Sequence, residues 1–545
     1  MPTPSLRRRL VALTIGLLTL VLTACGATDD STGPDATAGG AGLVSIAGTV
    51  PEGPFYPADI TESNREVIAR NIFDGLVRVD TDGSVVFEVA ESIETDDAVH
   101  FTVVIKPGQR FANGEAVTSA SFVEAWNWGA YGPNAQKSAS NYALIKGYEA
   151  VHPAQEGAEP TAETLSGLAV VDDRTFTIEL TAPTISFIGQ LTDGVFVPLP
   201  QAFFDDPAGF ADRPIGNGPY QLRDKIDISD GAYLDLNPNY TGTRQPQNDG
   251  LYIRFYTSLD TVYQDVLADN LDVGSASGGG LLTAAADFGD RFIAGPGGPT
   301  QTLAFPLWDD FWGSPAGLKV RQAISHAIDR QAIIDTIFVG LAAPARDFTQ
   351  QGLDGWSDAI PGVEVLDFDP DLARRLLAEA GGYPRETLTF YYNADGSHKE
   401  WVEAVANQVR ENLGLNAVPG PVTTFAELLG QIRDHTLDGP WRASNIPFNP
   451  GLDDMLATGY SAAAGSTTQA GYYSQDFEDL LAQGRSQTSL EAANQYFNQA
   501  QSVLFRDLPV IPLWYTYQTT IHARTVQGVV LGPIAGTPYY AITKI

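Results

Sequence analysis

The sequence predicts an α/β protein built from several layers. Stretches that alternate apolar and polar residues, bounded by Gly and Pro, take turns along the chain with stretches whose apolar residues recur at helical spacing, the pattern of strands packed under helices. The chain is also large enough: 545 residues, 43% hydrophobic and 18% charged, can bury sizeable cores in roughly two to four domains. A formal net charge of -34, from 66 acidic and 32 basic residues, argues against nucleic acid as a partner, because phosphate binding needs a basic face. Such acidity suits the solubility of an exported protein.

The first 25 residues are an address. Arg7, Arg8 and Arg9 form a basic start, and Leu10 to Leu22 is an apolar run too short for a permanent membrane span. Leu22-Thr23-Ala24-Cys25 resembles a bacterial lipobox, which implies a signal peptide over 1–25, lipid on Cys25, and a mature chain beginning there. Arg8-Arg9 fits either the general or the twin-arginine export route. Cys25 is the one cysteine, so the mature chain holds no intramolecular disulfide, thiolate metal cluster or cysteine nucleophile. No later apolar run approaches 18 residues, leaving lipid as the membrane attachment. Residues 26–42 are Gly, Ala, Thr, Ser and Asp without periodicity and read as a flexible tether.

Folded sequence is expected from Leu43. A helical pattern runs from Val67 to Val79 and contains Asn71-Ile-Phe-Asp-Gly-Leu-Val77. Phe101-Thr-Val-Val-Ile-Lys-Pro-Gly108 alternates as a strand and breaks at Pro107-Gly108, Phe111-Ala-Asn-Gly114 makes a turn, and Thr118 can cap the helix that follows. Asp172 to Leu180 reads as a turn and a strand. Pro214-Ile-Gly-Asn-Gly-Pro-Tyr220 is not a phosphate loop: it lacks the third glycine and a following lysine, and Pro219 removes a donor. Leu234 to Tyr240 and Leu251 to Tyr256 are strand-like, and Val266 to Val273 reads as a short helix leading into a strand.

The most regular helix spans Leu318 to Arg330, with Ser314 as cap, Pro315 as first residue, and Val320, Ala323, Ile324, Ala327, Ile328 and Ile334 on one face. Asp369-Pro370 starts another, stopped by Gly381-Gly382. Trp401, Val402, Val405, Val409 and Leu413 lie on a third, closed by Gly414, and a last long helix carries Ala493, Tyr496, Phe497, Ala500 and Leu504 behind a capping box from Thr488 to Glu491. Thr387 to Tyr392 and Val510 to Ile521 are strands between and after them.

Several of these blocks, in this order, resemble the peptide- and nickel-binding family of solute receptors that serve ABC importers, solute-binding family 5. They are Asn71–Val77, Phe101–Trp126 with Asn113 where Asp is usual, Asp172–Leu180, Pro214–Tyr220, and above all Val320-Arg-Gln-Ala-Ile-Ser-His-Ala-Ile-Asp-Arg330. The resemblance implies a two-lobed, periplasmic-binding-protein-like α/β fold with an extra inserted subdomain, and ligand between the lobes. Lobe I would comprise 43–85, an inserted subdomain over 86–212, then 213–299 and 522–545. Lobe II would run over 300–521, with hinge closure on the ligand.

Peptides of varied sequence can be held only through what they share: backbone donors and acceptors and charged ends. The resemblance assigns that task to Gly439-Pro-Trp-Arg-Ala-Ser-Asn445, with Trp441 at an aromatic position and Ser444 where an Asp holds the ligand's ammonium. A serine oxygen can accept from an ammonium but loses the charge-assisted part of the bond. Asp453 and Asp454 are read as solvated loop acids. Further ligand-contact candidates are Tyr142, Asn445, Trp514 and Thr516, with backbone contacts from Pro54 to Pro57. His326 and His398 are read as surface or satisfied histidines rather than metal ligands.

The expected role is thus an extracytoplasmic lipoprotein, anchored on the outer face of the bacterial cell membrane, that captures oligopeptides and passes them to permease subunits. It is expected to act as a monomer, without cofactor or metal. An oligosaccharide, a metal chelate or haem is the alternative cargo, and retention for signalling a further possibility. A hydrolase is disfavoured: Gly459-Tyr-Ser-Ala-Ala463 lacks the last glycine of a nucleophile elbow, and the six histidines offer no H-E-x-x-H pair.

Overall fold

The computed structural model describes residues 42–545, apart from 156, 277–278, 448, 462–469 and 535. The leader, Cys25 and the tether up to residue 41 lie outside the described residues.

The chain enters the fold on β1 (Leu43–Gly48), where Val44 and Ile46 are fully buried. Helix Ser63–Ile72 follows. It stops short of the Val79 suggested by periodicity because Phe73 turns to extended backbone and Asp74 N donates to Asn217 Oδ1, leading into the hairpin β2 (Val77–Val79) and β3 (Val85–Phe87). Next come β4 (Ala90–Thr95), β5 (His100–Ile105), β6 (Leu168–Asp172) and β7 (Thr175–Glu179), a separate antiparallel sheet in the order β4-β5-β7-β6. The expected turns are there, with Gly108 and Gly114 at φ +79° and +89°, values that favour glycine. Thr118 Oγ1 accepts from Ser121 N while Thr118 N donates to Ser121 Oγ, and this reciprocal cap starts helix Ser119–Ala130. Phe122 and Trp126 of that helix pack on Phe176 of β7.

β8 (Tyr220–Leu222), β9 (Gly231–Leu236) and β10 (Gly250–Phe255) form an antiparallel meander, and β10 pairs in parallel with β1. The helix expected over 266–273 lies earlier, at Leu259–Leu267: Asp269 takes a positive φ and breaks it before β11 (Val273–Gly274). Helix Gly279–Phe288 leads to the long β12 (Phe292–Ala304).

Ser314 caps helix Pro315–His326 through Gly317 N, as its sequence indicates. The apolar face through Ile334 nevertheless belongs to two helices. Asp329 caps the second, Arg330–Ile337, by accepting from Ala332 N, and the Arg330 guanidinium donates to the carbonyls of Ser325, Ile328, Leu366 and Pro512. Freed carbonyls at the break are thereby satisfied.

After β13 (Ala342–Pro344) come helix Pro370–Glu379, β14 (Leu388–Asn393), helix Lys399–Leu413, β15 (Ala417–Val422), helix Phe425–Arg433 and β16 (Trp441–Asn445). Helices Leu452–Tyr460, Gln475–Arg485 and Leu490–Asp507 precede the long β17 (Val510–His522). The cap of the last helix is Ser489, which accepts from Ala492 N, not the expected Thr488. The chain ends on β18 (Val526–Gln527) and β19 (Thr543–Lys544).

One eleven-stranded sheet joins most of this, in the order β15-β14-β16-β12-β17-β11-β1-β10-β9-β8, with β13 also on β17. At its centre β12 and β17, thirteen residues each, run antiparallel as a ribbon. The ribbon's Phe292 and Ile521 end joins the β11-β1-β10 wing, and its Ala304 and Val510 end joins β16 and β14. Between those ends the pairing shifts register twice, between Pro296 and Thr300 and between Gln301 and Thr302. The first shift falls in Gly295-Pro-Gly-Gly-Pro299, where prolines withhold donors and Gly297 sits at φ +135°.

Candidate ligand-binding site

The wing that holds β16 has a topology that creates a crevice. β14 lies between β15 and β16 and is parallel to both. The chain leaves β14 for β15 on one side, then crosses to β16 on the other, so the order reverses beside β14. Ligands of open α/β sheets lie outside the carboxyl ends of strands at such a reversal. There, β14 ends at Asn393, helices Lys399–Leu413 and Phe425–Arg433 begin, and β16 continues toward Asn445. β14 meets β16 at one pair, Tyr391 with Trp441, so among the described residues no strand of the sheet runs beside the carboxyl half of β16 on that side. An extended chain can be laid alongside such an edge.

Alternation along β16 sorts its side chains. Trp441, Ala443 and Asn445 share one face. Trp441 is fully buried and stacks on Trp308, with ring centroids 5.4 Å apart, and Trp308 stacks on His435 at 4.3 Å. Asn445 Nδ2 donates to Met455 O at 3.0 Å. Both therefore shape the strand from behind.

Arg442 and Ser444 share the other face. Residues paired directly across strands lie on the same side, so Gln301 of β12, opposite Ser444, and Trp514 of β17, opposite Gln301, continue this surface. Helix starts cover it: the Arg442 guanidinium lies 4.8 Å from the Phe425 ring centre, and Trp401 stands edge-on to Trp514 at 5.3 Å. Trp401 Nε1 donates to His398 Nδ1 at 3.3 Å. Burial, then the nearby Arg442 charge, pushes the His398 imidazole down to about 4, so it is neutral at neutral pH. Burial also lowers Arg442, to about 10, which leaves it charged.

The remaining expectations divide. Thr516 Oγ1 donates to Pro299 O at 2.8 Å beside the ribbon's glycines, and the residue lines a cavity of about 570 Å³ with Phe338, Leu281 and Gln518. Trp514 is fully buried between Phe338 and Trp401. Tyr142 is not with them: it is 1% exposed in the core of the inserted sheet, its hydroxyl donating to Val195 O at 2.6 Å and its ring edge-on to Phe196. Asp453 is not a solvated loop acid. It sits 4% exposed in the first turn of helix Leu452–Tyr460, paired with Arg485 at 2.8 Å and accepting from Ser186 Oγ at 2.6 Å. Asp454, in the same turn, accepts weakly from Asn449 N. His326 is buried and satisfied by Asp367 O. Arg442 and Gln301 went unseen in the sequence, although Arg442 stands two residues from Ser444 in a strand, which places both on one face.

The fold and the strand reversal beside β14 agree with a receptor for a solute. The chain belongs to the bacterial extracellular solute-binding proteins, family 5, whose middle region it matches over residues 84–469. It is 22% identical over 560 residues to the oligopeptide-binding protein OppA of Bacillus subtilis, covering 98% of this chain and 99% of that one. It is 24% identical to the periplasmic oligopeptide-binding protein OppA of Escherichia coli, over 85% of this chain and 84% of that. Among solved structures, the unliganded open form of the periplasmic murein tripeptide-binding protein MppA superposes with a TM-score of 0.82 at 21% identity, covering 92% of this chain and 97% of that. Haemophilus influenzae OppA in complex with the peptide RPPGFSPFR gives 0.63 at 19% identity, covering 92% and 99%. The fold is accordingly the two-lobed one of this family. No helix among the described residues is long and apolar enough to cross a membrane.

Proposed function

We propose that this chain is the extracytoplasmic receptor of an ABC importer, capturing oligopeptides between two lobes and delivering them to membrane permease subunits. The observation that carries this is the position of β16 at a sheet reversal, beside the carboxyl end of β14, where open α/β sheets take their ligands. Peptide-binding relatives that match the chain nearly end to end support the same reading.

The strand pairing supports the lobe boundaries. Lobe I takes 43–85, the inserted sheet within 86–212, then 213–299 and 522–545; lobe II takes 300–521. β1 pairs with β10 and β11, and Lys544 Nζ meets Asp272 Oδ2 at 2.5 Å, which brings the three separated parts of lobe I together. Closure bends the β12–β17 ribbon where its register shifts. Lipid on Cys25 holds the receptor, as a monomer, near its permease at high local concentration, and neither cofactor nor metal takes part.

Mass spectrometry of whatever co-purifies with the chain, followed by titration of the stripped protein with the same species, tests this. A mixture of short peptides that rebind is the expected result. Recovery of one sugar, chelate or haem, with no response to peptides, would keep the receptor role and remove the peptide assignment.

A further inference from the structure

Among the described residues, the buried guanidinium groups are matched, with one exception. Arg65 meets Asp59 and Glu62, and Arg244 meets Asp74. Arg321 has no carboxylate but donates to the carbonyls of Trp312, Asp507 and Leu508, and Arg330 is wrapped by four carbonyls. Arg442, 6% exposed, has neither arrangement. Its Nε donates to Asn393 Oδ1 at 2.7 Å, and its Nη1 reaches Ser444 Oγ at a long 3.4 Å. Asp395, whose charge acts on it from beyond ion-pair distance, already accepts from Asn393 Nδ2 at 2.5 Å and Phe425 N at 3.1 Å. A buried cation without an anion is costly and rarely kept without use.

A second observation falls on the same surface. Gln301 Oε1 and Trp514 Nε1 are both buried without a hydrogen-bond partner, and native interiors leave few such atoms. They lie one and two strands from Ser444, in register with it. One acceptor, one donor and one cation without an anion thus share one face of β17, β12 and β16.

We propose that this face is a subsite for a carboxylate of the cargo, held by the Arg442 guanidinium beside Ser444, with Gln301 Oε1 accepting an amide N–H and Trp514 Nε1 donating to a carbonyl of the adjoining residue. The proposal rests on the peptide-receptor reading and sharpens it: the receptor takes acidic or C-terminal carboxylate groups at the place where the sequence resemblance expects an ammonium. An ammonium there would face Arg442. His398, neutral and held by Trp401, adds no second cation, so the subsite matches a single negative charge. Either the peptide's C-terminus or an acidic side chain supplies the group.

The test titrates the purified full chain, stripped of cargo, with four forms of Ala-Ala-Glu-Ala: unmodified, N-acetylated, C-terminally amidated, and with Gln for Glu. Amidation or the Gln exchange is expected to weaken binding roughly tenfold to a hundredfold, the loss of one charged hydrogen-bonded contact, and which of the two does so names the source of the carboxylate. N-acetylation is expected to change affinity by less than about threefold. Ser444→Asp, which supplies its own carboxylate to Arg442, is expected to erase the preference while leaving the core untouched. Loss of binding on N-acetylation alone, with amide and Gln forms unaffected, overturns the proposal. Should no form bind, titration with succinate decides separately: quenching of tryptophan fluorescence that Ser444→Asp removes keeps the carboxylate subsite without the peptide reading, and no quenching discards both.

Discussion

Two buried residues show how the interior sets measurable behaviour. Burial raises Asp347 to about 6, against donors from Thr349, Tyr515 and Gln501 that favour its charged form. Its ordinary value is about 3.9, so the folded state holds a proton that the unfolded state has released between pH 4 and 6. Stability from this group is complete below pH 4 and is lost as pH rises toward 6, on the order of 3 kcal/mol. Asp74, likewise raised to about 6 by burial although Arg244 opposes it, contributes in the same direction. Thermal midpoints should therefore fall less between pH 4 and 6 for Asp347→Asn than for the unmodified chain, because the variant lacks this proton linkage. Arg330 is the second case. Lysine has at most three donors and no planar fork, so Arg330→Lys should lower unfolding stability by roughly 2–4 kcal/mol in urea titration, leaving Ser325 and Leu366 carbonyls unmet.

At the scale of elements, the ribbon is the part whose sequence most directly states its mechanics. Gly298 approaches β17 so closely that an added Cβ would lie 2.6 Å from the Thr516 carbonyl oxygen, inside any allowed contact. Gly298→Ala should thus push the two strands apart at the bend, and small-angle scattering should show a smaller ligand-induced compaction than in the unmodified chain. Equal compaction in both would remove the ribbon as the hinge. Elements with local causes were legible in advance: Thr118, Ser314 and Asp369 cap helices where their side chains indicate, because capping needs only residues three apart. The break after His326 was not legible, since Arg330 satisfies carbonyls from segments 36 and 182 residues away. The candidate site divides the same way. Trp441, Ser444, Asn445, Trp514 and Thr516 do gather around β16 and the ribbon, whereas Tyr142 ends a short helical turn packed on Val195 and Phe196, and the register that sets Gln301 beside Ser444 appears only once strands pair.

For the whole molecule, composition limited the partners but said nothing of how the charge is arranged. Buried acids such as Asp74 and Asp272 are tied to Arg244 and Lys544 across long separations in the chain. Lys544→Met should therefore expose a disproportionate weakness. It removes the cation from Asp272, a carboxyl that is 1% exposed and also gathers Ser45 and Thr525, and leaving a buried charge short of a partner typically costs about 3–5 kcal/mol. Calorimetry should resolve this as a lowered transition in the β1 wing, with the β14–β16 wing little changed; a uniform shift of both would show that the wings melt as one unit.

That same tie has a bearing on the order of assembly. The β14–β16 wing is drawn from one continuous run of chain, while β1 waits for β10, β11 waits for β17, and Asp272 waits for Lys544, 272 residues further on. Bringing such distant segments together demands loop closure before any reward in contacts. The half of the molecule that is made first is thus the half that finishes last.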